Sequence, residues 1–261
     1  MSKSAVSKSA VSRSTVSRSA MRRAAVRRFV PPQHGAWAML VLPYLAALLV
    51  AGATWVDLPL LGAWLGGYLL SYYVFQSLKS RRPRRYREQL TWYAALTLPL
   101  ALLVVWARPA VLWYAPAYAA LIAVNAWYAW RRRERALLND LAAVAQSCLI
   151  VFVVATVAGR PLAPMVGVFL ACAAYFTGTV FFVKTMIRER GNPAYLRWSI
   201  AYHLGAFALG LWLGPAVAVL FGWLLLRSWW FPRRRFTPKQ LGFIEIGNSL
   251  SLLVAIALTW G

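Results

Sequence analysis

Pro31-Pro32-Gln33-His34-Gly35-Ala36-Trp37 divides the chain into two parts of opposite character. Before it stand Ser, Ala, Val and basic residues; after it come long apolar runs. Two consecutive prolines stop a helix arriving from the N-terminal side, because proline lacks an N–H and disfavours a helical residue before it. Gln33 and His34 therefore sit at the mouth of the first apolar run, and Trp37 falls where interfacial aromatics settle in a bilayer.

Upstream, residues 2–28 repeat with a period of five: Ser-Lys-Ser-Ala-Val twice, then Ser-Arg-Ser-Thr-Val, Ser-Arg-Ser-Ala-Met and Arg-Arg-Ala-Ala-Val. That period matches neither helix nor strand, so no continuous apolar face forms. Segment 1–30 is acid-free and rich in Ser and Arg. It reads as a disordered basic tail lying along an anionic membrane face. Its composition also resembles an organellar transit peptide, and it lacks the apolar core of a secretory signal.

Downstream, residues 31–261 read as a membrane domain. The 261-residue chain is 61% hydrophobic and only 13% charged, unlike an ordinary soluble domain. A bilayer core is crossed by about 20 mostly apolar residues. Nine runs come near that length: approximately 36–53, 58–78, 90–106, 110–130, 137–158, 162–183, 198–213, 216–231 and 242–260. The seventh and eighth are short, and Gly214-Pro215 between them suits a tight hairpin.

Charge orders these runs. With the tail placed on one side, nine crossings put every basic residue there except Arg108 and Arg160. The positive-inside rule then predicts a cytoplasmic N-terminus and an external C-terminus. The expected fold is all-α: a polytopic transmembrane helical bundle of about nine helices in the cell (inner or plasma) membrane. A net charge of +23 also raises nucleic acid as a partner. The basic residues lie in short clusters between apolar runs, so anionic lipid headgroups on the tail and loops are the expected partners, and nucleic acid is not.

The motif Pro-x-Gln-His-Gly-Ala-Trp followed by an apolar helix resembles the opening of the YwiC-like integral membrane protein family. The resemblance runs from about residue 30 to the C-terminus and implies a multi-pass membrane protein without naming a chemistry. Helix number and the long polar segments after the second and sixth runs are also similar to the UbiA-like intramembrane prenyltransferases. Those enzymes hold Mg²⁺ and a prenyl diphosphate on Asp-rich motifs at these two positions. Here the positions read Ser71-Tyr72-Tyr73-Val74-Phe75-Gln76-Ser77-Leu78-Lys79 and Phe182-Val183-Lys184-Thr185-Met186-Ile187-Arg188-Glu189-Arg190. The first has no acid and the second has one, which argues against Mg²⁺-dependent prenyl transfer, since that ion needs oxygen ligands. An anionic lipid held directly by Lys and Arg stays compatible with the layout.

Three groups of residues are candidates for chemistry. Lys184 and Arg188, at i and i+4, share a helix face and suit an anionic headgroup; a solvated helix end is the plainer reading. Glu245 with Asn248 and Ser249 makes one polar face on an otherwise apolar helix. Glu245 could pair with a cation such as Lys184, orient a ligand or carry a proton; if the helix starts at Gly242, it is a first-turn acid favoured by the macrodipole. Gln33 and His34 form a third site, with His34 and Glu245 as the candidate catalytic groups. His203 reads as a satisfied core histidine, Asn139-Asp140 as the cap and first-turn acid of the fifth helix, and Asn125, Gln146 and Gln76 as interhelical hydrogen-bonding residues. Cys148 and Cys172 fall in separate apolar runs and read as packing residues. Neither a metal site nor a cofactor is implied by these spacings.

Three functions fit these expectations: a pocket that binds or modifies an anionic amphipathic lipid, a transporter of a small anion or metabolite with Glu245 as coupling site, and a non-catalytic membrane scaffold or assembly factor. The first uses Lys184 and Arg188 for the headgroup, Glu245 and Asn248 for orientation, and His34 as acid or base.

Overall fold

In lipid an apolar segment must satisfy its own backbone groups, and a helix does so within one segment. A computed structural model describes Phe29 and residues 34–261 of the chain. Its helices are α1 (His34–Ala51), α2 (Asp57–Ser80), α3 (Arg87–Ala107), α4 (Ala115–Trp130), α5 (Leu137–Cys148), α6 (Ile150–Val157), α7 (Ala163–Ile187), α8 (Pro193–Leu213), α9 (Pro215–Trp230) and α10 (Pro238–Trp260). Helices α5 and α6 are one pass interrupted at Leu149, so the described residues make nine helical passes and no strand. The expected basic tail, Phe29 apart, and Gln33 lie outside the described residues, as does the side chain of His34.

Six passes are long and apolar enough to cross a membrane: those ending at Ser80, Ala107, Trp130, Val157, Ile187 and Trp260. The first is apolar but shorter, over Ala36–Ala51. Helices α8 and α9 fall outside that group. They carry Ser199 and His203, and Arg227, inside their lengths.

The passes alternate end to end, and polar contacts show which loops share an end. Lys79 pairs with Glu134 at 2.7 Å, and Arg132 Nε donates to the Lys79 carbonyl. Lys184 pairs with Asp140 at 2.7 Å and also donates to the Arg135 carbonyl. Arg190 donates to the Arg234 carbonyl. The four basic linkers therefore meet at one end of the bundle. Arg108 and Arg160 lie at the opposite end, where they donate to the Val157 and Ala51 carbonyls that end α6 and α1. Trp106, Trp113 and Trp212 are strongly exposed towards that end, and Trp92, Trp198 and Trp230 towards the basic end. Two aromatic girdles of this kind mark the two interfaces of a bilayer.

The core is built on α1, α6, α7, α9 and α10. Tyr44, Ala46, Ala47, Val151, Val154, Met165, Val168, Cys172, Phe221 and Leu252 are all essentially closed to solvent. Cys148 and Cys172 are free thiols within it. Pro43 in α1 has no N–H to give the Met39 carbonyl one turn back, and Ser147 Oγ of α5 donates to that carbonyl instead. At the α8–α9 hairpin Gly214 adopts φ 151°, a value few L residues reach. One turn earlier, a Cβ on Gly210 would lie 3.1 Å from Ala218 Cα, so the two backbones nearly touch.

Candidate functional site

Helices α7 to α10 enclose a buried polar cluster that begins at the basic end and reaches into the bundle. Its centre is Arg227 of α9, which is fully buried and forms an ion pair and hydrogen bond from Nη1 to Glu245 Oε1 of α10. Two charges brought out of water hold only with good mutual geometry and further hydrogen bonds. Thr179 of α7 supplies one, donating at 3.1 Å to Glu245 Oε2. The Arg227 guanidinium lies 3.9 Å from the Phe182 ring centre, a cation–π contact on its open face.

The cluster continues along α10 and α7. Tyr175 bridges the Glu245 carbonyl and Ser249 Oγ, the latter at 3.1 Å. Trp223 Nε1 donates at 3.0 Å to Asn248 Oδ1. On α8, His203 is 2% exposed, and its Nδ1 lies 2.7 Å from the Ser199 carbonyl. A carbonyl only accepts, so Nδ1 carries the hydrogen and Nε2 presents its lone pair. That nitrogen faces α7 at Gly178, where a Cβ would stand 3.1 Å from it.

The expected residues divide between this cluster and elsewhere. Glu245, Asn248 and Ser249 fall together within it, on one face of α10. Glu245 takes Arg227 as partner rather than Lys184, because Lys184 is turned to Asp140 and the α4–α5 linker. Nor is Glu245 a first-turn acid: α10 starts at Pro238, behind a Thr237–Gln240 capping box, so Gly242 is already inside the helix. Lys184 and Arg188 are not brought together as one clamp; Lys184 is buried in its ion pair, while Arg188 caps α7 with its side chain exposed.

The smaller expectations also separate. His203 is buried in the core as expected, but only its Nδ1 is satisfied, Nε2 having no partner among the described residues. Helix α5 takes Ala136 as its cap, with no side-chain capping bond, so Asn139 is not the cap; it accepts from Asn125 at 2.9 Å and donates to the Glu134 carbonyl. Asp140 is a first-turn acid as expected.

Arg227 was the residue that sequence reasoning missed. It counts naturally among the loop cations, because it stands just before the end of its helix. The available signal was depth: Glu245, about two turns inside its own helix, needs a cation at matching depth on a neighbour.

A second feature lies above the cluster, at the basic end. A pocket of about 190 Å³ opens among the end of α7, the start of α8 and the α9–α10 linker. Arg190, Arg233, Glu189 and Asn192 line its rim, and Met186, Leu196 and Pro232 its apolar wall. Met186 also packs with Phe182 and Leu241, and Phe231 closes on them. This apolar layer stands between the pocket and Arg227.

Comparison with known proteins places the chain. The family described as YwiC-like protein matches residues 30–156. The protein of Bacillus subtilis (strain 168) described as uncharacterized protein YwiC is 34% identical over 239 residues, covering 88% of this chain and 97% of that relative. An uncharacterized protein of Haemophilus influenzae is 28% identical over 222 residues, covering 82% and 90%. No solved structure matches. The apolar helical passes mark a membrane protein, and with the opening motif and similarity over 88% of its length the chain belongs to the YwiC-like family.

Proposed function

We propose that the protein binds an anionic amphipathic lipid at the basic end of α7–α10, in the cell membrane, with that end facing the cytoplasm. The basic end carries the four cationic linkers, and the positive-inside rule assigns such an end to the cytoplasm. The observation that carries the reading is the lining of the 190 Å³ pocket, two arginines on the rim and an apolar wall below. A headgroup phosphate or carboxylate suits guanidinium forks, and an apolar chain suits Met186, Leu196 and Pro232. Arg190 and Arg233 take the headgroup role in this reading, since Lys184 is held by Asp140. Asn192 is engaged in capping α8 through Ala194 and Tyr195.

Mass spectrometry of co-purifying lipids tests it. Wild type is expected to carry one enriched anionic or isoprenoid lipid, and Arg190→Ala/Arg233→Ala to lose it. Bulk phospholipid in equal amount on both proteins would overturn the reading.

A further inference from the structure

Five buried polar atoms of the α7–α10 cluster have no hydrogen-bond partner among the described residues: Arg227 Nε and Nη2, His203 Nε2, Asn248 Nδ2 and Ser199 Oγ. Three of them, on Arg227 and Asn248, are obligate N–H donors. Buried donors without acceptors cost free energy, and the cost is greatest for a charged group. Arg227 is wholly buried, with one carboxylate and the Phe182 ring face as compensation.

From these observations we propose that the Arg227–Glu245 cluster is a joint site for one proton and one small monovalent anion. The argument is charge conservation in a low-dielectric interior. Arg227 stays cationic, because a guanidinium does not lose its proton in proteins. If Glu245 takes a proton, Arg227 loses its counter-charge and is stranded. An anion on the unpartnered Nε and Nη2 restores the balance one for one. One proton goes to Glu245, one anion comes to Arg227, and the site's net charge is unchanged. The anion must be monovalent, since a single carboxylate charge is replaced. It must be small, since Arg227 is fully buried and the Phe182 ring lies against its guanidinium. Each ligand strengthens the other by the same factor.

The groups facing Glu245 are few. Helix α7 gives Tyr175 and Thr179, α9 gives Arg227, and α10 itself gives Asn248, while His203 of α8 lies beside Arg227. Helix α1, also packed on α10, has Tyr44 as its buried titratable group, and that hydroxyl is turned to the Asp57 carbonyl at the opposite end. Among these, His203 is the competing proton acceptor through its unpartnered Nε2. The site is separate from the headgroup pocket and does not rest on it.

The test uses the full-length purified protein, with chloride and nitrate as probes and calorimetry in buffers of different ionisation enthalpy. Wild type is expected to take up one proton per anion bound, so that affinity rises about tenfold for each unit of falling pH while Glu245 is ionised. Glu245→Gln should bind the anion with no proton uptake and no pH dependence. Arg227→Gln/Glu245→Gln, neutral throughout, should bind none. His203→Gln should keep the proton linkage, and Arg190→Ala/Arg233→Ala should bind as wild type. No anion binding by wild type, or binding without proton uptake, overturns the proposal even if Glu245→Gln fails to fold. Linkage that survives in Glu245→Gln and vanishes in His203→Gln overturns it as well.

Discussion

At the scale of single residues, the hydrogen bond from Ser147 to the Met39 carbonyl answers a deficit that Pro43 creates. Ser147→Ala should therefore destabilise the protein by about 1 kcal/mol, as hydrogen bonds between membrane helices generally do. In a Pro43→Ala background the returned N–H serves Met39 itself, and Ser147→Ala should then cost much less. Unfolding measured for the four proteins of this cycle checks the coupling; equal costs in both backgrounds would refute it. Glu245 and Asn248 were legible in the sequence because a carboxylate inside an apolar run is conspicuous. Arg227 was not, because a cation near a helix end satisfies the loop-charge rule whichever way it points. Register gives depth along a helix; only packing gives the face.

At the scale of elements, α8 and α9 approach so closely that Gly210 has Ala218 Cα and Phe221 Cδ2 both 3.1 Å from where its Cβ would be. Gly210→Leu should force the hairpin apart and destabilise the protein by about 1–3 kcal/mol. Gly205, on the same helix, has nothing within 4 Å of its would-be Cβ, so Gly205→Leu should leave thermal unfolding unchanged. The positions of all nine helical passes were legible from hydrophobic length, and their ends less so. Helix α8 begins at Pro193 rather than near Trp198, since Asn192 caps it from the polar linker. Helix α10 begins at Pro238, since the Thr237–Gln240 box nucleates it before the apolar run starts. Capping chemistry sits in the polar flank, where an apolar-length criterion is blind. The interruption at Leu149 had no signal at all, neither Gly nor Pro marking it.

At the scale of the whole molecule, the orientation proposed from the charge pattern is open to a check by labelling. The native thiols Cys148 and Cys172 are fully buried, which leaves a quiet background. Arg133→Cys, in the basic linker between α4 and α5, should react with a membrane-impermeant maleimide only after cells are opened. Pro161→Cys, in the exposed turn between α6 and α7, should react in intact cells. The reverse pattern would invert the bundle. Which helices sit centrally was not legible, because α3 is nearly as apolar as the core helices α7 and α10 yet faces outward along most of its length. Lipid and protein interior are equally apolar partners, so hydropathy does not tell them apart.

The Ser147–Met39 contact also constrains the order of biogenesis. Its two residues are 108 positions apart, so α1 is synthesised with a carbonyl that has no partner until α5 emerges. At translation rates of about 5–20 residues per second that interval is on the order of 5–20 s. During it, α1 is an incomplete span, suited to waiting at the insertion machinery or the water interface and to entering lipid alongside α5.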